Sequence, residues 1–413
     1  MVHIKGGHHK WMININRIML YVLIVIICIT FPYKIYAETA NSTDQEIDME
    51  NHTELQDSLL QSLDTNEINQ YWTTIQNEYG RFLPNYQEKN LLQLMKSNDS
   101  ISFKSIVKGL ISYLFYELIE NGKLLSKLLL ITLFASILHM MYTAFNNRVI
   151  YNVANIIIYI VLISILINSF NQVYHYLKST IDMMSHFLLA LLPLLFSLMA
   201  TFGQVMTIAF FHPFIIFLIH TSGLLISNII FPLLYLSAIL HIVSQINDKF
   251  QATQLASLLK TISMGILAIY LTVFLAVVSV QGATVAIQDG VALKTTKFIT
   301  GNFIPVVGKT FTEAADTVLS STLLLKNTVG VVGVVIICFI AIFPAIKVMV
   351  IAFIYKLAAA LLQPLGNHQI IVSLQTVSTY IIYMLACLIT VTFMFFLVIV
   401  LLSMVSNLPL LMR

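Results

Sequence analysis

The chain has 413 residues, of which 58% are hydrophobic and only 10% charged, and its formal net charge is +3. Soluble domains carry about a quarter charged residues, so this composition excludes an ordinary soluble enzyme and places most of the chain in lipid. The small net charge, with no basic stripe, excludes a nucleic-acid-binding surface.

Residues 1–37 read as a secretory signal. Lys5, Lys10 and Arg17 form a positive front, residues 18–31 a short apolar core, and Ala37 supplies the small residue before cleavage. The alternative is an uncleaved anchor. Residues 38–103 then carry twelve acidic residues against three basic ones. The early part has too few aromatics to build a core. Residues 66–79 and 86–95 are predicted helices separated by Gly80 and Pro84. The segment reads as a small acidic extracytoplasmic module with a solvated face.

Residues 104–120 are amphipathic, with Ile106, Leu110, Leu114 and Leu118 along one face, and are expected at the membrane surface. Apolar runs follow at 124–145, 152–170, 186–211, 213–240, 262–282, 329–343, 346–362 and 377–405. About 20 apolar residues cross a hydrocarbon core, so these are candidate spans. The sixth and seventh flank Pro344 and read as two short spans or one broken helix, giving seven or eight. The fold class is therefore all-α: a polytopic helical membrane domain over 104–413 behind a small exported module that is helical or partly disordered.

The stretch 281–327 stands apart. Asp289-Gly290, Gly301-Asn302 and the Pro305–Gly308 run are turn signals. Thr310 and Glu313 have capping-box spacing, and Lys326 with Asn327 suits a helix end, so a bounded amphipathic helix is predicted over 310–326. Exporting 38–103 would place this lysine-bearing stretch on the cytoplasmic side. It reads either as a plain interfacial helix or as an element that docks or gates.

No phosphate-binding loop, HExxH, CxxC or GxSxG motif occurs. His212, His220 and His241 lack ligand spacing, and Cys338 and Cys387 sit in apolar runs. No catalytic set, metal, cofactor or disulfide is expected, and the chain is not read as an enzyme. Lys347, just after Pro344, is the most suggestive ionisable residue, because charge at membrane depth is costly and faces protein or water. Lys356 lies nine residues on, about 180° round a helix, so the two do not line one face. Pro344, Lys347 and Lys356 are candidates for a conduit or hinge; the bland alternative is a pair of snorkelling lysines.

The run KFITGNFIPVVGKTFTEAADTVLSSTLLLKNTVG, Lys297 to Gly330, resembles the signature of the stage III sporulation protein AE family, as do FPAIK (Phe343 to Lys347) and FIYKLAAALLQPLG (Phe353 to Gly366). The resemblance covers most of the membrane half and is not claimed for 38–103. It implies a component of a multi-protein channel or secretion-like conduit in the mother-cell membrane around the forespore. The partners it implies are other stage III sporulation A-operon proteins, including an ATPase, and a forespore-membrane complex across the intermembrane space. Self-association is a further expectation. Lys297, Asn302, Pro305, Gly308, Lys309, Glu313 and Asp316 become candidates for partner docking or gating. The competing class is a stand-alone secondary transporter, for which Pro193, Pro213, Pro232, Pro344 and Pro364 would supply broken helices.

Overall fold

The computed structural model describes residues 65–83, 103–145, 148–201, 204–245, 252–303, 307–365 and 368–405. All belong to one compact unit, His52–Arg413. The signal-like start, the acidic run to residue 64 and the helix expected at 86–95 lie outside the described residues.

Every regular element among the described residues is helical, as the composition demands. They are α1 (Asn66–Tyr79), α2 (Phe103–Glu120), α3 (Gly122–Phe145), α4 (Arg148–Thr201), α5 (Val205–Leu225), α6 (Phe231–Ser244), α7 (Thr253–Phe303), α8 (Val307–Leu362) and α9 (His368–Val405). Among the described residues five segments are long and apolar enough to cross a membrane: Ile156–Thr201, Val205–Ser244, Thr253–Val280, Leu325–Leu362 and His368–Ser403.

Several expected breaks are absent. Asp289-Gly290 and Gly301-Asn302 do not turn the chain, because both lie inside α7. A glycine costs a helix only about 1 kcal/mol, which a helix of 51 residues can absorb. Thr310 does not cap a helix either. The helix starts earlier, at Val307, and runs through Lys326 and Asn327 to Leu362. The expected pair of short spans around Pro344 is one continuous helix, and the expected break between 170 and 186 is bridged by the 54 residues of α4. At 1.5 Å per residue α4 is about 81 Å long, more than twice the hydrocarbon thickness.

Two described segments leave the α-helical ladder at a proline; one is the 3₁₀ turn Gln363–Leu365, which holds Pro364 and follows α8. The other, Ile226–Ile230, is a π-helical turn whose following N–H, at Phe231, reaches back to the Ile226 carbonyl. Pro232 has no N–H to offer the carbonyl four residues back, and the wider turn absorbs that gap.

The core is built on the antiparallel pair α8 and α9. No residue of α9 from Tyr380 to Ser403 is exposed. Ser378 Oγ donates to the Ala352 carbonyl (2.8 Å) near one end of the seam, and Lys326 Nζ donates to the Ser403 carbonyl (3.1 Å) at the other. Between the helices, a Cβ on Gly330 would collide with Ser403 Oγ. A Cβ on Gly333 would lie 2.6 Å from Leu191 of α4. Small residues thus let three backbones close together, the usual route to packing where lipid gives no hydrophobic drive. On the far side of α9, Ser237 of α6 bonds both the Tyr380 hydroxyl (2.7 Å) and the Ala256 carbonyl. That ties α6 and α7 to the centre.

Gly330→Leu is expected to lose most folded protein from detergent extracts, because Ser403 sits on a helix that cannot retreat. Gly265→Ala, at a position with open space around it, should leave the melting temperature unchanged or raise it slightly. Fluorescence-detected size-exclusion after heating separates the two outcomes.

Candidate functional site

The residue that the sequence singles out, Lys347, lies one turn past Pro344 on α8. Its Nζ is 3.7 Å from Glu117 Oε1 of α2. The carboxylate is 4% exposed and the lysine 38%, so the pair is half open on the lysine side only.

Glu117 is held from both directions along its own helix. Tyr113 OH donates to Oε1 (2.8 Å) and Asn121 Nδ2 to Oε2 (2.9 Å). Both partners are four residues away, the spacing that stacks side chains on one helical face. A buried carboxylate needs such partners; unpaired, it would cost several kcal/mol. Gly109 lies two turns before Glu117 and meets the backbone of Phe82, where any Cβ would clash. That close approach presses α2 against the end of α1.

Aromatic rings enclose the pair. Tyr176 of α4 lies under Lys347 Nζ, 5.0 Å from ring centroid to nitrogen. Its hydroxyl meets Tyr79 of α1 at 3.3 Å. Tyr79 stacks on Phe343 at 4.2 Å and 4°, and Phe82 and Phe343 meet Tyr113 edge-on at 5.0 and 5.1 Å. Burial, reinforced by neighbouring acidic groups, pushes the Tyr79 and Tyr113 phenols far above their ordinary range. Both remain protonated donors at any physiological pH. Arg81 lies outside the cluster, its guanidinium 3.9 Å over the Tyr116 ring.

Four elements therefore converge: α1, α2, α4 and α8. Farther along, α1 buries Ile68, Trp72, Ile75 and Tyr79. Trp72 packs on Phe339 of α8 (6.4 Å) and Tyr71 edge-on against Phe187 of α4 (5.5 Å). The apolar face of this helix is part of the core, while Glu67, Gln70, Thr73, Thr74, Asn77 and Glu78 are exposed.

The remaining candidates fall elsewhere. Lys356 is exposed and apart from the cluster, as its position half a turn round from Lys347 requires. Pro344 stands inside α8, so it is not a break. Lys297 and Asn302 lie on α7 and Gly308, Lys309, Glu313 and Asp316 on α8, described at the backbone only, while Pro305 lies outside the described residues. Sequence reasoning missed Glu117. The available signal was the Tyr113, Glu117, Asn121 spacing beside the Leu114 and Leu118 face.

A family model described as Stage III sporulation protein AE matches residues 86–406. A curated relative from Bacillus subtilis (strain 168), also described as Stage III sporulation protein AE, is 46% identical over 398 residues. That alignment covers 96% of this chain and 100% of the relative. No solved structure matches the chain.

The geometry ranks two substitutions at the cluster. Glu117→Ala strips the acceptor from two hydrogen bonds and leaves their donors facing protein, an expected loss of about 2–4 kcal/mol. Lys347→Met removes a long, half-exposed contact, an expected loss of about 1 kcal/mol or less. Chemical unfolding in detergent tests the order; equal losses, or a greater loss at Lys347, would contradict it.

Proposed function

The chain belongs to the stage III sporulation protein AE family, and on that premise we propose that it is a membrane component of a multi-protein channel or secretion-like conduit between mother cell and forespore. In this reading it acts in the mother-cell membrane and is required for spore development after engulfment. The observation that carries the proposal is full-length similarity to a sporulation protein in a chain with five segments fit to cross a membrane.

Other features support the same reading. The sequence has no phosphate-binding loop, so energy for transport would come from a separate ATPase subunit. Other products of the same operon and a forespore-membrane complex would complete the assembly. The segment 38–103 would enter the bundle from the space between the two membranes. The stretch 303–316 would dock or gate, with Lys309, Glu313 and Asp316 in the first turns of α8 offering its charged contacts. The protein would contribute structure and selectivity, not catalysis.

The stand-alone transporter is the weaker reading. It drew on helices broken by proline to build a midplane site. Pro193, Pro213 and Pro344 lie inside continuous helices, Pro232 follows a π-helical turn and Pro364 stands in the 3₁₀ turn after α8, so two of the five prolines accompany a change in the helical ladder.

Deletion is expected to arrest spore development after engulfment while vegetative growth stays normal. Lys309→Glu with Asp316→Lys should block sporulation and reduce co-purification of other operon products, with the protein still at normal abundance in the membrane. Normal spore yield from the deletion strain would end the proposal; normal co-purification from the double variant would remove the docking role.

A further inference from the structure

One face of α4 contradicts its apparent character as a lipid-facing helix. Between Leu162 and Leu192 every exposed residue is polar. Asn168, Gln172, His175, Ser179, Asp182 and His186 follow one another at intervals of three or four, with Ser164 one turn earlier. This spacing keeps them on a single side of the helix. From Ser164 to His186 the stripe is about 33 Å long at 1.5 Å per residue, the thickness of a hydrocarbon core.

The opposite side of the bundle fixes the depth of that stripe. Phe170 and Tyr174 of α4 pack on Tyr235 and Phe231 of α6, at 5.6 and 6.0 Å. Ser185 Oγ abuts Gly223 of α5. Tyr270 of α7 bonds Ser222 (3.0 Å), and Ala256 bonds Ser237. The outer residues at these same levels are mostly aliphatic: Leu224, Ile229 and Leu236 on α5, the π turn and α6, with Leu258, Ile262 and Ile269 on α7, all exposed beside Asn228 and Thr261. An exposed aliphatic face of this length belongs in hydrocarbon. The polar stripe therefore lies at hydrocarbon depth on the other side.

A second element marks the same side. On α4, the contacts that hold α1 fall on Tyr176 and Phe187, each adjacent in sequence to a stripe residue, His175 or His186. The seam of α1 thus borders the stripe, and the outward face of α1 is polar throughout. Lipid cannot satisfy either face, because each polar group left in hydrocarbon costs several kcal/mol.

We infer that the α4 stripe and the outward side of α1 border water across the hydrocarbon thickness and form one wall of an aqueous path. This deepens the conduit reading and rests on it only for the use to which the path is put. One long helix and one short one cannot enclose such a path, so its other walls come from elements beyond these two.

Cysteine accessibility in the full-length protein tests the inference. In a background with Cys28, Cys338 and Cys387 replaced by serine or alanine, single cysteines replace Ser164, Gln172, Ser179 and Asp182. Controls replace Ile262, Ile269 and Leu236 on the lipid side. Membranes from sporulating cells are treated with a charged methanethiosulfonate reagent. Only an ionised thiol reacts, and neither reagent nor thiolate is stable in hydrocarbon, so the stripe is expected to label at least ~10-fold faster than the controls. Ser164→Cys and Ser179→Cys, the smallest changes, carry the test if a larger one fails to insert. Stripe positions that label no faster than the controls would overturn the inference. So would stripe positions that label only after detergent extraction, since lipid or a partner then covers them. Fast labelling together with normal sporulation in the deletion strain would leave the wet face standing and remove the sporulation conduit. A sporulation block with an unlabelled stripe would do the reverse.

Discussion

The bundle depends on one buried lysine. Lys326 has no exposed surface, and its Nζ donates to the carbonyl of Ser403. Ser403 lies in the last turn of α9, where carbonyls have no N–H partner four residues on. An amine donor from the next helix satisfies one of those carbonyls. The cap comes from the neighbouring helix, which makes the register of α8 against α9 part of the bond. A shift by one residue would move Lys326 to another face of α8 and leave the Ser403 carbonyl unsatisfied in an apolar interior.

The rest of the centre follows from that register. Gly330 is one turn beyond Lys326 and receives the Ser403 side chain. Gly333 admits Leu191, which sets α4 against the same pair. Continuing along α8 brings Phe339 to Trp72, Phe343 to Tyr79 and Lys347 to both Tyr176 and Glu117. The polar cluster is thus placed by apolar packing some 20 residues away, at about 1.5 Å per residue of a rigid helix. Its own hydrogen bonds orient the side chains but do not choose which helices meet.

The sequence showed which residues are helical and singled out Lys347, which the fold places beside Glu117, because both signals are local. Lys347 stood out simply as a cation in an apolar run. Helix boundaries were misread wherever a local signal competed with the medium. Gly290, Gly301 and Pro344 read as breakers, yet the long helices α7 and α8 keep their ladders through them. The run from Asn171 to His186 looked like a connector between spans because its average polarity is high. Its polarity is confined to one side of a continuous helix, and only a three-dimensional burial pattern separates a loop from a stripe. Glu117 was hidden for a related reason. Its place beside Leu114 and Leu118 showed a carboxylate on the apolar side, but its cation is supplied from 230 residues later in the chain.

The docking of α1 also imposes an order on biosynthesis. Trp72 is made early, but Phe339, against which it packs, follows roughly 270 residues later, about 13–55 s at ordinary rates of synthesis. Through that interval the tryptophan, two isoleucines and tyrosine on one face of α1 have only part of their seat, since Tyr113, Tyr176 and Phe187 are made before Phe339 and Phe343. The helix is therefore made early and fully seated late. Its arrival reports that the distant half of the chain has been inserted in the correct arrangement.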